Sequence, residues 1–185
     1  GLPLFFWKQK LVAGKILVVQ PRRIAAKSLA RIACKFCKCE LGEEIGYRVR
    51  FDSRVSAKTK IIYLTDGMIF RFLQNPANLK EVDLIIFDEF HERSLFMDAS
   101  LALAKSYHDC GKINSRIVVT SATLELEKIS NFLGAKFGLE VNTKSFPVEI
   151  HHKAINSKQT LPAQICDNLK VLLSRYEGDV VVFMD

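Results

Sequence analysis

Apolar and polar positions along the 185-residue chain follow two alternating rhythms. Ile16-Leu17-Val18-Val19, Val82 to Phe87 and Ile117 to Thr120 are short, largely continuous apolar runs. That is the pattern of strands covered on both faces of a parallel sheet. Gly46 to Phe51 and Lys60 to Leu64 are strand-like as well. Between these runs the period lengthens to that of a helix. Ala25, Leu29, Ile32, Ala33 and Phe36 recur at helical spacing after Pro21, Asp66 to Leu73 reads as a short helix, and Leu95 to about Tyr107 as a longer one. Strands alternating with helices predict right-handed βαβ units and an α/β parallel sheet with flanking helices. The rhythm breaks near Thr143 to Pro147, then resumes with Val148-Glu149-Ile150, a helix from about Leu161 to Leu173, and the apolar run Val180 to Phe183. We therefore expect a first domain over residues 1–143 and a linker with the start of a second over 144–185. The last run reads as one more buried strand, and such a strand needs neighbours. With a start at Gly1 and not at Met, this leads to the expectation of a fragment of a longer protein.

Composition narrows the class. Hydrophobic residues make up 49% and charged residues 25%, which excludes a disordered tail, a collagen-like fibre and a low-complexity linker. No apolar run approaches the roughly 18 residues of a membrane-spanning helix. Leu2 to Trp7 is broken by Pro3 and has no basic segment ahead of it, unlike a secretory signal. Five cysteines, an odd number in a chain of this size, point to reduced thiols in the cytoplasm. Lys and Arg number 27 against 20 Asp and Glu, and this net charge of +7 suits a polyanionic partner without requiring one.

Function in an open α/β sheet gathers at the carboxyl ends of the strands. The run Leu84 to Phe87 ends in Asp88-Glu89-Phe90-His91-Glu92-Arg93. Two adjacent carboxylates there suit magnesium-assisted phosphate chemistry, one holding the cation through water and the other orienting or deprotonating an attacking water. On these residues alone, a solvated acidic loop stands beside that reading. The next strand ends in Ser121-Ala122-Thr123, whose hydroxyls can reach back to the acidic loop.

Four segments in order carry a resemblance. Gln20-Pro21-Arg22-Arg23-Ile24-Ala25-Ala26, Thr65-Asp66-Gly67-Met68, Asp88-Glu89-Phe90-His91 and Ser121-Ala122-Thr123 resemble motifs Ia, Ib, II (Walker B) and III of the DEAH-box helicases of superfamily 2. Gly46-Tyr47-Arg48-Val49-Arg50-Phe51-Asp52 matches the stretch between the first two. Phe90, where the family usually has Ala, together with His91-Glu92-Arg93-Ser94-Leu95, is similar to the bacterial HrpB-type branch. Ser145 to Ile150 resembles the lead-in to a second RecA-like domain, and the final run resembles the strand before motif IV.

The resemblance implies a RecA-like first domain, ATP and Mg²⁺ as cofactors, and single-stranded RNA held by its backbone as partner, with DNA less favoured and no membrane. It implies that Asp88 and Glu89 hold Mg²⁺ through water, that Glu89 activates the hydrolytic water, and that His91 links the nucleotide site to Ser121 and Thr123. It places Arg22, Arg23, Arg48, Arg50, Thr65 and Asp66 along the nucleic-acid groove. Arginine forks grip phosphates without reading sequence. For Arg48 and Arg50, their i, i+2 spacing on a strand is also what an exposed face would show.

The phosphate-cradling G-x-x-x-x-G-K-[ST] loop does not occur in the chain. Gly14-Lys15 and Gly111-Lys112 are each followed by Ile and are decoys. In the family that loop precedes the helix to which Gly1 to Lys8 belongs, so we expect it upstream, and the chain alone to be inactive. Cys34, Cys37 and Cys39 lack a second Cys or His pair at zinc spacing. His91-Glu92 fails as a zinc-protease motif because position 95 is Leu. His151 and His152 read as surface residues, and Phe5, Phe6 and Trp7 as a helix face on the sheet. The expectation is part of an RNA helicase core that couples ATP hydrolysis to unwinding or remodelling. The alternatives are a nucleotide-independent nucleic-acid-binding remnant and a DNA-directed translocase.

Overall fold

The computed structural model describes residues 1–122, 126–135, 137–141 and 148–183. The chain separates into two compact units, Gly1–Leu139 and Glu140–Asp185. The boundary expected at 143/144 falls outside the described residues.

In the first unit the elements run α1 (Leu2–Lys8), β1 (Lys15–Gln20), α2 (Arg23–Cys37), β2 (Ile45–Val49), β3 (Asp52–Arg54), β4 (Ile61–Thr65), α3 (Asp66–Leu73), β5 (Val82–Phe87), α4 (Leu95–Asp109), β6 (Arg116–Val119) and α5 (Leu126–Leu133). Single 3₁₀ turns span Pro76–Leu79 and Phe90–Glu92. The six strands form one sheet in the order β3-β2-β4-β1-β5-β6, with every neighbouring pair parallel except β2 and β3. This is the α/β sheet with flanking helices that the apolar rhythm predicts.

Two-residue periodicity in β1 builds two cores. Ile16 and Val18 face α1 and α2, where Leu4, Ala26, Ala30 and Ala33 cover them. The alanines leave no bulk between helix and sheet, so α2 lies close against the strands. Leu17 and Val19 point the other way, toward Ile69 and Leu73 of α3 and Met97, Leu101 and Ala104 of α4. Phe87, Ile16, Leu84 and Ile85 are fully buried. Side chains of that size contribute about 1.5–3 kcal/mol each by leaving water.

Local chemistry sets the ends of the elements. Lys38 terminates α2 in the left-handed region at φ 55°, with Lys38 N donating to Lys35 O and Cys39 N to Cys34 O. Ser94 caps α4 by accepting from Met97 N at 3.0 Å. Gly14 opens β1 under the Asp83 carboxylate, whose Oδ2 accepts from Ala13 N at 2.9 Å and Gly14 N at 2.6 Å. A Cβ on Gly14 would sit 2.5 Å from Asp83 Oδ1, so its glycine serves this close approach and not a phosphate loop.

Three expectations are corrected. The strand read through Phe51 stops at Val49, and Arg50-Phe51 form a two-residue turn into β3, with Phe51 at φ 64°. Arg48 and Arg50 therefore do not share one strand face. The strands expected at Val148–Ile150 and in the final run do not form. Residues 148–150 and 180–183 are exposed and have no neighbouring strand among the described residues. Apolar, β-branched composition is not enough without a ladder to join. In the second unit, α6 (Leu161–Arg175) forms as expected, and it has no buried residue.

Candidate functional site

β1, β5 and β6 end side by side, and their first polar residues converge. Asp88 follows β5, with its N–H donating to Val19 O at 3.0 Å. Its carboxylate is gripped from both sides. Gln20 Nε2, at the end of β1, donates to Oδ2 at 2.5 Å. Thr120 Oγ1, just past β6, donates to Oδ1 at 2.5 Å. Gln20 is 1% exposed, so this amide has no water to turn to. Oδ1 also accepts from Glu89 N at 3.1 Å, so Oδ2 is the oxygen that keeps a second lone pair, enough to accept a hydrogen bond from a metal-bound water.

After Asp88 the backbone turns sharply. Glu89 adopts φ 54° and Arg93 φ 38°, one on each side of the 3₁₀ turn Phe90–Glu92. Each such non-glycine residue costs on the order of 1–3 kcal/mol and persists only because its surroundings impose it. The Phe90 ring supplies part of that constraint. It is 2% exposed in the α3/α4 core, with the Arg93 guanidinium 5.1 Å from its centroid. The turn leaves the Glu89 carboxylate half-exposed and directs His91 toward the end of β6.

His91 Nδ1 lies 3.3 Å from Ala122 N, 3.4 Å from Ser121 Oγ and 3.5 Å from Glu89 Oε2. A backbone amide can only donate, so Nδ1 is an acceptor here, and the neutral ring carries its proton on Nε2. The Glu89 contact is then proximity and not a hydrogen bond. Of the two hydroxyls expected to reach the acidic loop, Ser121 contacts His91, while Thr123 lies outside the described residues.

Beside Asp88, a cavity of about 210 Å³ is lined by Asp88, Thr120, Tyr63, Val18 and the start of α1. Burial, reinforced by the Asp88 charge, pushes the Tyr63 phenol up to about 12. The donor set fits Mg²⁺. That ion keeps several waters and takes one or two carboxylates plus substrate phosphates, in place of an all-protein cage. Among the described residues no cluster of three or more His, Cys, Asp or Glu could hold a metal alone. In particular, Cys34, Cys37 and Cys39 do not form one.

A second cavity, of about 450 Å³, opens at the ends of β4 and α2. It brings together Arg23, Arg50, Thr65 and Asp66, adds Arg71, and has Phe70 and Phe96 as an aromatic wall. Arg23 Nη2 donates to Arg50 O at 2.9 Å, which ties α2 to the β2–β3 turn. The Arg50 guanidinium stands 4.7 Å over the exposed Phe51 ring. Two expected members lie outside this lining. Arg22 turns to Glu92 Oε2 at 2.9 Å, and Arg48 is half-buried within β2. Asp66 lines the cavity, but its oxygens accept from Gly67 N at 2.7 Å and Ser94 Oγ at 2.5 Å.

Gln20, Thr120, Ser94 and Arg71 carry no assignment in the sequence reading. Gln20 and Thr120 left a usable signal, since each is the polar residue that ends an apolar run.

Comparison with known proteins bears on the fold and the family. The family model described as DEAD/DEAH box helicase matches residues 2–132. "Probable ATP-dependent RNA helicase DHR2" of Saccharomyces cerevisiae is 36% identical over 171 residues, covering 92% of this chain and 23% of that protein. "ATP-dependent RNA helicase HrpA" of Borreliella burgdorferi is 36% identical over 174 residues, covering 92% and 21%. The crystal structure of the Escherichia coli DEAH/RHA helicase HrpB matches with a TM-score of 0.86 at 29% identity, over 96% of this chain and 23% of that one. The chain thus spans under a quarter of the length of these relatives.

Proposed function

The chain belongs to the DEAD/DEAH box helicase family, and we propose on that footing that it forms part of the core of an ATP-dependent RNA helicase. The observation that carries this reading is the convergence of Gln20 and Thr120 on Asp88, with Glu89 one residue on and facing solvent. Asp88 and Glu89 would hold Mg²⁺ through its waters, and the ion would supply positive charge against the negative charge that develops on the phosphate. Gln20 and Thr120 fix the Asp88 carboxylate, so that it need not reorganise when the ion arrives. Glu89 takes the role of orienting and deprotonating the attacking water. His91, turned to Ser121 and Ala122, joins this loop to the segment after β6.

The cavity with Arg23, Arg50 and Arg71 is the proposed seat of single-stranded RNA. Guanidinium groups grip phosphates, and Phe70 and Phe96 offer apolar surface for bases. Arg22, paired with Glu92, is assigned to the loop and not to this cavity, and Arg48 to the sheet. Closing of two domains over ATP, alternating with changes in RNA grip, would supply the motor cycle. A reducing cytoplasmic setting suits the five free cysteines.

The isolated 185-residue chain carries no G-x-x-x-x-G-K-[ST] loop and is proposed to bind without hydrolysing. The second reading is a nucleotide-independent nucleic-acid-binding module. One experiment separates the two. In the full-length gene product, Glu89→Gln should abolish RNA-stimulated ATPase and leave RNA affinity within about twofold of wild type. Retained turnover would remove Glu89 from its role. A wild-type protein that binds RNA but never hydrolyses ATP would establish the binding module instead.

A further inference from the structure

Ser94 lies six residues after Asp88, outside every contact with the nucleotide-facing groups, yet its hydroxyl makes two bonds at once. It accepts from Met97 N at 3.0 Å, capping α4, and it donates to Asp66 Oδ2 at 2.5 Å. Asp66 is the first residue of α3 and lines the cavity that holds Arg23 and Arg50. One hydroxyl thus connects the wall of the proposed RNA cavity to the loop that carries Glu89 and His91.

The loop is suited to being controlled from that point. Glu89 at φ 54° and Arg93 at φ 38° are strained conformations on either side of its 3₁₀ turn. The Asp88 end is fixed by Gln20, Thr120 and the sheet. At the other end the restraints are the buried Phe90 ring, Arg93 on Asp98 at 2.8 Å, Arg22 on Glu92 at 2.9 Å, and Ser94 on Asp66. Arg93 and Asp98 tie the loop to α4, whose Phe96 also lines the cavity, through an ion pair at the surface. Arg22 is 73% exposed, and an exposed ion pair is weak and screened by salt. The Ser94–Asp66 bond is short, partly buried and made to a charged acceptor, and it joins the loop directly to α3, which forms the Asp66 side of the cavity.

We infer that Ser94 is a positioning residue that couples occupancy of the RNA cavity to the placement of Glu89. This rests on the function proposed above. With the bond made, α3 and the loop move as one piece, and the strained turn presents Glu89 to the attacking water. With it broken, the turn keeps its own restraints, but the seating of RNA against α3 no longer reaches Glu89. RNA seated against α3 favours the bonded state, and linkage requires that the bonded state in turn favours RNA.

The test uses three variants of the full-length gene product, a single-stranded oligo(U) RNA and ATPase rates with and without it. Ser94→Thr keeps both bonds and should behave as wild type. Ser94→Ala loses both. Ser94→Asp keeps an acceptor to cap α4, but it has no proton to donate and sets a charge against Asp66. Ser94→Ala and Ser94→Asp should lose about five- to tenfold of the stimulation by RNA. Their basal rate and KM for ATP should stay at wild-type values. RNA stimulation that stays intact in Ser94→Asp overturns the coupling. A basal rate that falls in step with the stimulated rate also overturns it, since Ser94 would then only support the loop. A wild-type protein that RNA does not stimulate at all defeats the proposed RNA function itself, and this inference with it.

Discussion

Asp88 shows how much a single carboxylate depends on residues far away in sequence. Its two oxygens are held by side chains 68 and 32 positions distant. Thr120→Val keeps the shape of the side chain and removes the donor. In the full-length gene product it should cut ATPase kcat by about tenfold or more, as loss of a ligand-orienting partner does. It should also raise the Mg²⁺ concentration needed for half-maximal rate. An unchanged Mg²⁺ dependence would show that Asp88 is oriented without Thr120. The Asp88-Glu89-x-His91 cluster was legible in the sequence because its members are neighbours in the chain. Thr120 and Gln20 were legible only as the polar residues that end two apolar runs, because their approach to Asp88 follows from β1 and β6 each pairing with β5. Apolar runs announce strands but not which strands lie side by side.

At the scale of elements, local pattern was a good guide wherever one face was buried. The limits of α3 and β5 match the apolar rhythm residue for residue. The β2–β3 hairpin was missed because its turn, Arg50-Phe51, contains none of the Gly, Asn or Asp residues that usually mark one. The glycine in this hairpin sits instead within the strand. Gly46 faces Arg54 O so closely that a Cβ would stand 2.1 Å from it, with Val55 Cγ1 at 3.0 Å. Backbone cannot yield as the end of a side chain can. Gly46→Ala should therefore destabilise the fold by about 3 kcal/mol, the upper part of the overpacking range. It should also displace the turn that positions Arg50. Chemical denaturation of the 185-residue chain measures the first effect, and RNA titration the second. A loss below about 0.5 kcal/mol would mean that the hairpin gives way freely, as an ordinary surface site does.

Over the whole molecule, stability and the second unit separate. Residues 1–139 contain both cores and all six strands. The β3 edge of the sheet is three residues long and bears Asp52, Ser53 and Arg54, a short polar edge that resists further pairing. In Glu140–Asp185, by contrast, no described residue is buried, while Val148, Ile150, Ile155 and Phe183 are each at least 75% exposed. Apolar surface on this scale favours association. The extended run at residues 180–183 adds unpaired backbone to it. A polypeptide of residues 1–139 should therefore unfold in one cooperative transition at the same denaturant midpoint as the full 185 residues. It should also remain monomeric at concentrations where the longer chain aggregates. Calorimetry together with light scattering distinguishes the outcomes. If residues 1–139 lose the cooperative transition, the second unit supports the sheet, and the exposed apolar positions at 148–183 must be covered when the chain folds in solution.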